Sequence, residues 1–530
     1  MTFEPTQTGE NLNSAETPQL VAVVDIGATS LRMQIAEIRA NHQVHKLESF
    51  SQAVSLGKDS FTKGFLESST IENCVRVLEV YRHKLVEFGI INPQQIRVIA
   101  TSGVREAANR IAFVDRIFIA TGFEIEPFEE AELHRVTFLG VLPFIESQPK
   151  YFDGSTLVLE VGGGTSEVLL LDGADVTFSR TYRLGALRLR NTLERFDASP
   201  SQSRLVMENE ILQTVKQIKA SCANCNPSSL IAMGGDVRFA AKEIKQTPIG
   251  EQLMELKLDD FHAFTHDILK QSPDSLATKF HMSLPEAQSL GPALLTQLLF
   301  AREFKTEKFL VANISLRDGL LKEMAAGSGW SESLQEQIVR SAIQTGRKFQ
   351  FQEEHALHVA KLACSLFNQL HSLHQLPERF RGILQLAALL HDIGLFVNTK
   401  SRHKHSSYLI LNSEFFGIGS SDLELIALVA RYHRGAIPQP THEGYSTLDR
   451  LRRVTVAKLS ALLRIAKALD VTQSQRIQTI NCRLLGNRLQ IDVADAADIS
   501  MEVLELQQAG ELFDNIFGKQ VFLTSTDQVE

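Results

Sequence analysis

The chain has 530 residues, 44% of them apolar and 22% charged, enough to bury several cores and to divide into three or four domains. A formal net charge of -8 excludes a general polyanion sponge, so any grip on phosphate-rich ligands must rest on local arginine and lysine clusters. Five cysteines and an N-terminus without an apolar leader are read as cytoplasmic, and no run approaches about eighteen uninterrupted apolar residues, so no membrane span is expected.

Residues 1–18 are mostly polar and are expected to form a disordered tail. From Gln19 the segments QLVAVVDIG, SLRMQIAEI and QVHKLESF read as strands, residues 71–88 show helical spacing, and IRVIATS is again a strand. This α/β alternation starts afresh at Ser155, where STLVLEVGGGTSEVLLLDG repeats strand, acid, apolar residue, glycine, turn and returning strand. Aligned with one extra glycine, the echo pairs Asp25 with Glu160, Gly27 with Gly162 and Ser30 with Ser166. Two similar lobes are expected, residues 19–145 and 146–328. Glycine in each hairpin turn lets backbone N–H groups approach an anion, and the hydroxyl adds a donor. Two such turns facing across a cleft would grip a phosphate chain from both sides.

Cys222 and Cys225 form a CxxC without a second pair or a nearby histidine pair, which is read as incidental. Past Trp330 the alternation gives way to amphipathic helices such as EEHALHVAKLACSLFNQL and FRGILQLAALLHDIGLF, so residues 329–475 are expected to be helical. Residues 476–530 return to short strands, INCRLLG, RLQIDVA and QVFLTS, with a helical piece between, and read as a small α+β domain.

The two hairpins, together with ATSGVREAAN at 100–109, AMGGDVRFAA at 232–241 and SLRDGLL at 315–321, resemble the exopolyphosphatase and guanosine pentaphosphate phosphohydrolase family. The resemblance runs from Val21 onward. It implies two actin-like (ribonuclease H-like) lobes around a phosphate-binding cleft, followed by an all-α HD-type domain and a small C-terminal domain. Carried over residue by residue, it implies that Gly27, Ser30, Arg32, Arg105, Gly162, Gly163, Gly164, Thr165 and Ser166 bind phosphate. Cleaving a phosphoanhydride with water needs charge neutralisation on the phosphoryl oxygens, in-line water and a group to orient it. A hard divalent ion, Mg2+, suits the carboxylates of Asp25, Glu160 and Glu167. Departures from the family pattern are Glu160 in place of an aspartate, DIGATS in place of DIGSNS, and Asp236 after the glycine pair. Asp236 is read as a helix N-cap.

The stretch IEPFEEAELHR carries Glu126, Glu129, Glu130 and Glu132. Family members place a water-activating glutamate here, and two alignments compete. Matching the letters EEA selects Glu130, at the cost of compensating gaps. The gapless register keeps Arg135 and FLGV in place but puts Leu133 at that position, with Glu132 one residue early, about 100 degrees around a helix. Pro127 makes a remodelled helix start plausible. The acids also suit a first helical turn, where negative charge favours the macrodipole.

In the helical region, HALHVAKL, LLHDIG, YHR and LLRIAKALD resemble the HD superfamily. The resemblance implies a divalent metal on His355, His391, Asp392 and Asp470, with His405 and His433 as accessory candidates. Arg450, Arg452, Arg453, Lys458, Arg464 and Lys467 lie along one helical stretch and read either as a basic wall for a long polyphosphate or as a solvated face. The function expected is release of terminal phosphate from inorganic polyphosphate or guanosine pentaphosphate in the inter-lobe cleft, by a cytoplasmic homodimer without nucleic-acid or membrane partners. The competing reading is a weakened or inactive phosphatase-like protein that binds or senses such ligands.

Overall fold

The computed structural model describes residues 18–194, 200–222, 226–247, 250, 252–327, 331–494 and 498–525. The expected N-terminal tail, Cys225 and Trp330 lie outside the described residues, apart from Pro18 of the tail. The chain forms two compact units, residues 1–128 with 136–327, and residues 129–135 with 328–530.

The first unit holds two mixed sheets of matching design. β1 (Gln19–Ile26), β2 (Ser30–Ile38) and β3 (Val44–Ala53) form an antiparallel meander, and β4 (Ile96–Ala100) and β5 (Ile125–Pro127) add in parallel beside β1, giving the order β3-β2-β1-β4-β5. In the second sheet β6 (Ser155–Val161), β7 (Ser166–Asp172) and β8 (Asp175–Tyr182) repeat the meander. β9 (Ser229–Met233) lies parallel to β6, followed by the edge strand β10 (Met254–Leu256) and by β11 (Lys308–Val311), in the order β10-β11-β9-β6-β7-β8. Parallel strands need crossovers, and helices such as Ser68–Glu87 and Pro200–Ser221 supply them. Because both faces are covered, the central strands read as near-continuous apolar runs: VAVV in β1 and LVL in β6 are fully buried in two separate cores. This is an actin-like pair of lobes.

The duplication is gapless in space. Asp25 pairs across β1 and β2 with Arg32, and Glu160 pairs across β6 and β7 with Glu167. The Gly27 amide donates to the Ser30 carbonyl at 3.0 Å, and the Gly162 amide to the Thr165 carbonyl at 2.9 Å. Ser30 therefore corresponds to Thr165 and Arg32 to Glu167; the expected Ser30–Ser166 pairing with an extra glycine is corrected. The serines matched as letters, but hairpin length sets the register.

In the second unit the helices Glu332–Lys348, Glu353–Gln369, Arg379–Leu390, Arg402–Leu411, Ser420–Arg431 and Arg450–Ala468 precede β12 (Ile480–Leu485), β13 (Arg488–Val493), the helix Ser500–Phe517 and β14 (Gln520–Ser525). The three strands form one sheet, with β13 antiparallel to β12 and parallel to β14. Several cations of the stretch read either as a basic wall or as a solvated face are engaged within the fold. Arg464 is buried and donates to the carbonyls of Tyr432, Gly435 and Ala436, Lys458 to that of His374, and Arg453 to that of Leu448, while Lys467 pairs with Glu505. Arg453, Lys458 and Arg464 thus serve backbone carbonyls. Among the described residues, no helix is long and apolar enough to cross a membrane.

Candidate functional site

The two glycine turns of the first unit converge. A Cβ built on Gly163 would lie 3.1 Å from Cβ of Ala28, and one on Gly103 would lie 3.0 Å from Cα of Ala28. A third close approach backs the second turn, since a Cβ on Gly185 would run into the Gly163 carbonyl oxygen. At Gly185 glycine is required because backbone lies against backbone, not because φ is positive, while Gly103 and Gly163 are tight against Ala28. Arg188 locks the second turn from behind, donating from Nε to the Gly164 carbonyl at 2.9 Å and from Nη2 to Glu106. The Thr165 hydroxyl donates to Glu167 at 2.7 Å, and the buried Ser166 hydroxyl to the Leu184 carbonyl.

The strand ends bring a mixed charge cluster to these turns. Asp25 is buried at the end of β1, and Nη1 of Arg317 lies 3.3 Å from its Oδ2. Nε of Arg317 is buried without a hydrogen-bond partner among the described residues, a donor suited to an anionic ligand. Burial pushes the Glu160 carboxyl above its usual range; Arg238 opposes this and the charge of Asp25 adds to it. Glu167 is pushed up to about 8 by burial and then by Glu160, against the Thr165 hydrogen bond and the charge of Arg105. Arg238 itself is lowered by burial, and its Nη1 donates to the Ile314 carbonyl. Arg105 donates to the Phe128 carbonyl at 2.6 Å. Repulsion between the Glu160 and Glu167 carboxyls is of a kind that a bound cation relieves.

Arg238 and Arg317 stand in the AMGGDVRFAA and SLRDGLL segments, yet sequence reasoning assigned them no role. Their signal was an arginine a few residues past the end of a buried strand. Asp236 occupies the first turn of the helix Gly235–Lys245, where Gly234, at φ 117, takes the cap position, so the N-cap reading is corrected. Its carboxylate accepts from the Ser289 hydroxyl at 3.4 Å, and burial raises it to about 6 against the charge of Arg32.

The glutamates behave as a set. The helix begins at Glu130, and an oxygen of Glu132 accepts the Glu129 amide at 3.0 Å. Glu129 accepts from the amide and hydroxyl of Ser420. A Cβ on Gly419 would lie 3.2 Å from Cδ of Glu132, and Arg135 donates to the Gly417 carbonyl at 3.1 Å. Leu133 is buried.

In the second unit, His355, His391 and Asp392 bring donor atoms within 4.8 Å of one another. Gly394 permits this by close backbone contact: a Cβ there would run into the Arg402 carbonyl oxygen and the Ser406 amide. Ser406 accepts from the Gly394 amide and donates to the His391 carbonyl at 2.7 Å. Burial pushes the His391 imidazole down to about 3 and lowers His433. Asp470 accepts from Nδ1 of His355 at 2.7 Å. His405 lies on the helix Arg402–Leu411, and His433 directly follows the helix Ser420–Arg431 and its C-cap Tyr432.

Residues 34–327 match the model of the Ppx/GppA phosphatase family, and residues 339–509 that of Ppx/GppA phosphatase, domain III. The chain is 22% identical over 462 residues to a guanosine-5'-triphosphate,3'-diphosphate pyrophosphatase of Photobacterium profundum, covering 84% of this chain and 86% of that protein. An exopolyphosphatase from Cytophaga hutchinsonii superposes with a TM-score of 0.53 at 23% identity, over 58% of this chain and 98% of its own. A Ppx/GppA family member from Aquifex aeolicus superposes with a TM-score of 0.49 at 20% identity, over 59% of this chain and 100% of its own.

Proposed function

The chain belongs to the Ppx/GppA phosphatase family, and on that premise we propose that it hydrolyses a terminal phosphoanhydride of inorganic polyphosphate or guanosine pentaphosphate in the cleft of its first unit. One observation carries this reading: at the strand ends beside the converged glycine turns, the carboxyls of Asp25, Glu160 and Glu167 are interleaved with the charges of Arg32, Arg105, Arg238 and Arg317. The arginines bind and orient phosphoryl oxygens, and the unpartnered Nε of Arg317 gains an acceptor when they do. Asp25, Glu160 and Glu167 would hold Mg2+, which when bound neutralises phosphoryl charge. The alignments offer Glu132 in the gapless register or Glu130 in the shortened one for water activation, and separate substitution of each tells whether either is needed.

A second reading, ligand binding with little turnover, is favoured by the engagement of Glu132 in capping its own helix and of Glu129 with Ser420. Phosphate release from long-chain polyphosphate and from guanosine pentaphosphate, measured with Mg2+, separates the two readings. Binding without release supports the second.

We read the helical part of the second unit as an HD-type domain able to hold a divalent transition ion, and residues 476–530 as a small α+β domain. Buried reduced thiols at Cys74 and Cys364 support a cytoplasmic setting. The homodimer, and the exclusion of nucleic acid and membrane as partners, rest on the family resemblance; sedimentation of the purified protein tests the first.

A further inference from the structure

Three successive carbonyls of the second glycine turn are held by one helix. Gly162 accepts the Ala186 amide at 2.9 Å, Gly163 accepts the amides of Leu187 and Arg188 at 3.0 and 3.1 Å, and Gly164 accepts Nε of Arg188 at 2.9 Å. These donors stand in the first turn of the helix Ala186–Glu194, whose amides have no carbonyl of their own helix to meet. A trans peptide is planar, with its carbonyl and the following amide pointing in opposite directions. Tying back the carbonyls of Gly162, Gly163 and Gly164 therefore turns the amides of Gly163, Gly164 and Thr165 the other way. Among the described residues those three amides find no hydrogen-bond partner.

The last of these peptides differs from the others. Main-chain donors grip Gly162 and Gly163, whereas the Gly164–Thr165 peptide is held by a side chain. In the first turn the equivalent peptide joins Thr29 to Ser30, and its carbonyl accepts the Val54 amide at 2.9 Å. The second turn thus depends on Arg188 where the first depends on backbone alone.

Arg188 is itself fixed from two directions. Its Nη2 donates to both oxygens of Glu106, at 2.7 and 2.8 Å, and its Cζ lies 4.3 Å from the centre of the Phe61 ring. A planar guanidinium pinned at Nη2 and stacked on a ring has little freedom left at Nε. The exposed Arg183 donates to Glu106 as well. Burial works against charge on Glu106, but the hydrogen bonds from Arg183 and Arg188 outweigh it and hold the carboxyl below its usual range. Glu106 directly follows Arg105, so the segment that presents Arg105 also sets the Gly164 carbonyl.

We propose that Arg188 is a positioning residue that aims the Thr165 amide at a phosphoryl oxygen, and that Glu106 acts through it. This rests on the cleft reading for its ligand, a phosphoryl group whose oxygens accept from backbone amides. Neither side chain needs to touch that ligand. Without Nε of Arg188 the Gly164–Thr165 peptide is free to rotate, and the Thr165 amide falls out of line with those of Gly163 and Gly164.

The test uses full-length protein and methylene-bridged triphosphate with Mg2+, with binding read by calorimetry below the unfolding temperature of every variant. Arg188→Ala and Glu106→Ala should each weaken binding about 10- to 100-fold, the worth of one hydrogen bond to a charged group. The double variant should bind no more weakly than Arg188→Ala alone. Arg188→Lys keeps the charge but lacks Nε, and should bind as weakly as Arg188→Ala. Glu106→Gln keeps an acceptor for Nη2 and should recover most of the affinity. Arg183→Ala removes a neighbouring charge without touching the Gly164 carbonyl and should stay within about twofold of native protein. Full affinity in Arg188→Lys, or an equal loss in Arg183→Ala, would make the effect one of charge and overturn the proposal. So would an equal loss from Glu106→Ala with and without Arg188, because Glu106 would then act by another route. Binding of the analogue does not require turnover, so absent phosphate release would contradict the hydrolysis reading while these affinity ratios still decide the role of Arg188.

Discussion

Nη1 of Arg317 reaches Oδ2 of Asp25 at 3.3 Å, joining the helix Leu316–Ala326 to the end of the first strand. Both side chains are close to nine-tenths buried, so removing one partner leaves the other charge enclosed. Arg317→Gln is expected to lower kcat/KM for phosphate release about 100-fold and to destabilise the first unit by about 3 kcal/mol. Steady-state kinetics and chemical denaturation check the two effects independently.

The close packing of the turns gives a steric prediction. Alanine at Gly185 drives its Cβ into the Gly164 carbonyl carbon, a clash with backbone that no rotamer relieves. Gly185→Ala should cost about 3 kcal/mol and depress activity beyond what stability explains, because the second turn must move. Thermal unfolding and activity at a temperature where the variant is folded test this. Gly173→Ala is the control, since its Cβ meets nothing within 4 Å, although its φ of 59 predicts a small backbone penalty.

Asp236 sets a pH dependence. Its folded carboxyl titrates at about 6, above the ordinary aspartate value of 3.8. The folded state therefore holds its proton longer than the unfolded chain, so this contribution to stability is fully present below about pH 4 and is lost as pH rises to about 6. Asp236→Asn should remove that loss, about 3 kcal/mol for a shift from 3.8 to about 6, visible as a flatter stability curve across this window. Binding of a non-hydrolysable polyanion should also tighten as pH falls through 6 in the native protein and not in Asp236→Asn. A parallel pH profile in both proteins would contradict the assignment.

Gly394 gives a prediction for the helical unit. Gly394→Ala drives Cβ into the Arg402 carbonyl and the Ser406 amide, displacing the hydrogen bonds that seat His391. We expect a loss of about 3 kcal/mol and a weaker metal site, with phosphate release by the cleft retained at temperatures below unfolding. Calorimetry and zinc titration check this.

How much could be read in advance differs from residue to residue. The β1–β2 and β6–β7 hairpins were legible because short apolar runs and an acid-x-glycine turn are local signals. Their register slipped by one because matching serines is a weaker constraint than equal hairpin length, which only the Asp25–Arg32 and Glu160–Glu167 pairings reveal. Arg238 and Arg317 gained roles through the parallel adjacency of β6, β9 and β11 and the contact of the helix Leu316–Ala326 with β1, neither of which is written locally. The basic run 450–467 could not be resolved from letters, since an arginine bound to carbonyls and one in water look alike in sequence. His433 was visible as an accessory residue, but its ring orientation depends on the Ala430 carbonyl.

Hydrolysis in the cleft of the first unit is the central claim. The most direct measurement is phosphate released from long-chain polyphosphate and from guanosine pentaphosphate with Mg2+, by native protein, Glu160→Gln and His391→Ala side by side. Release by native protein and His391→Ala, with at least about 100-fold less from Glu160→Gln, is the predicted result. Activity lost in His391→Ala while Glu160→Gln remains fully active would contradict it.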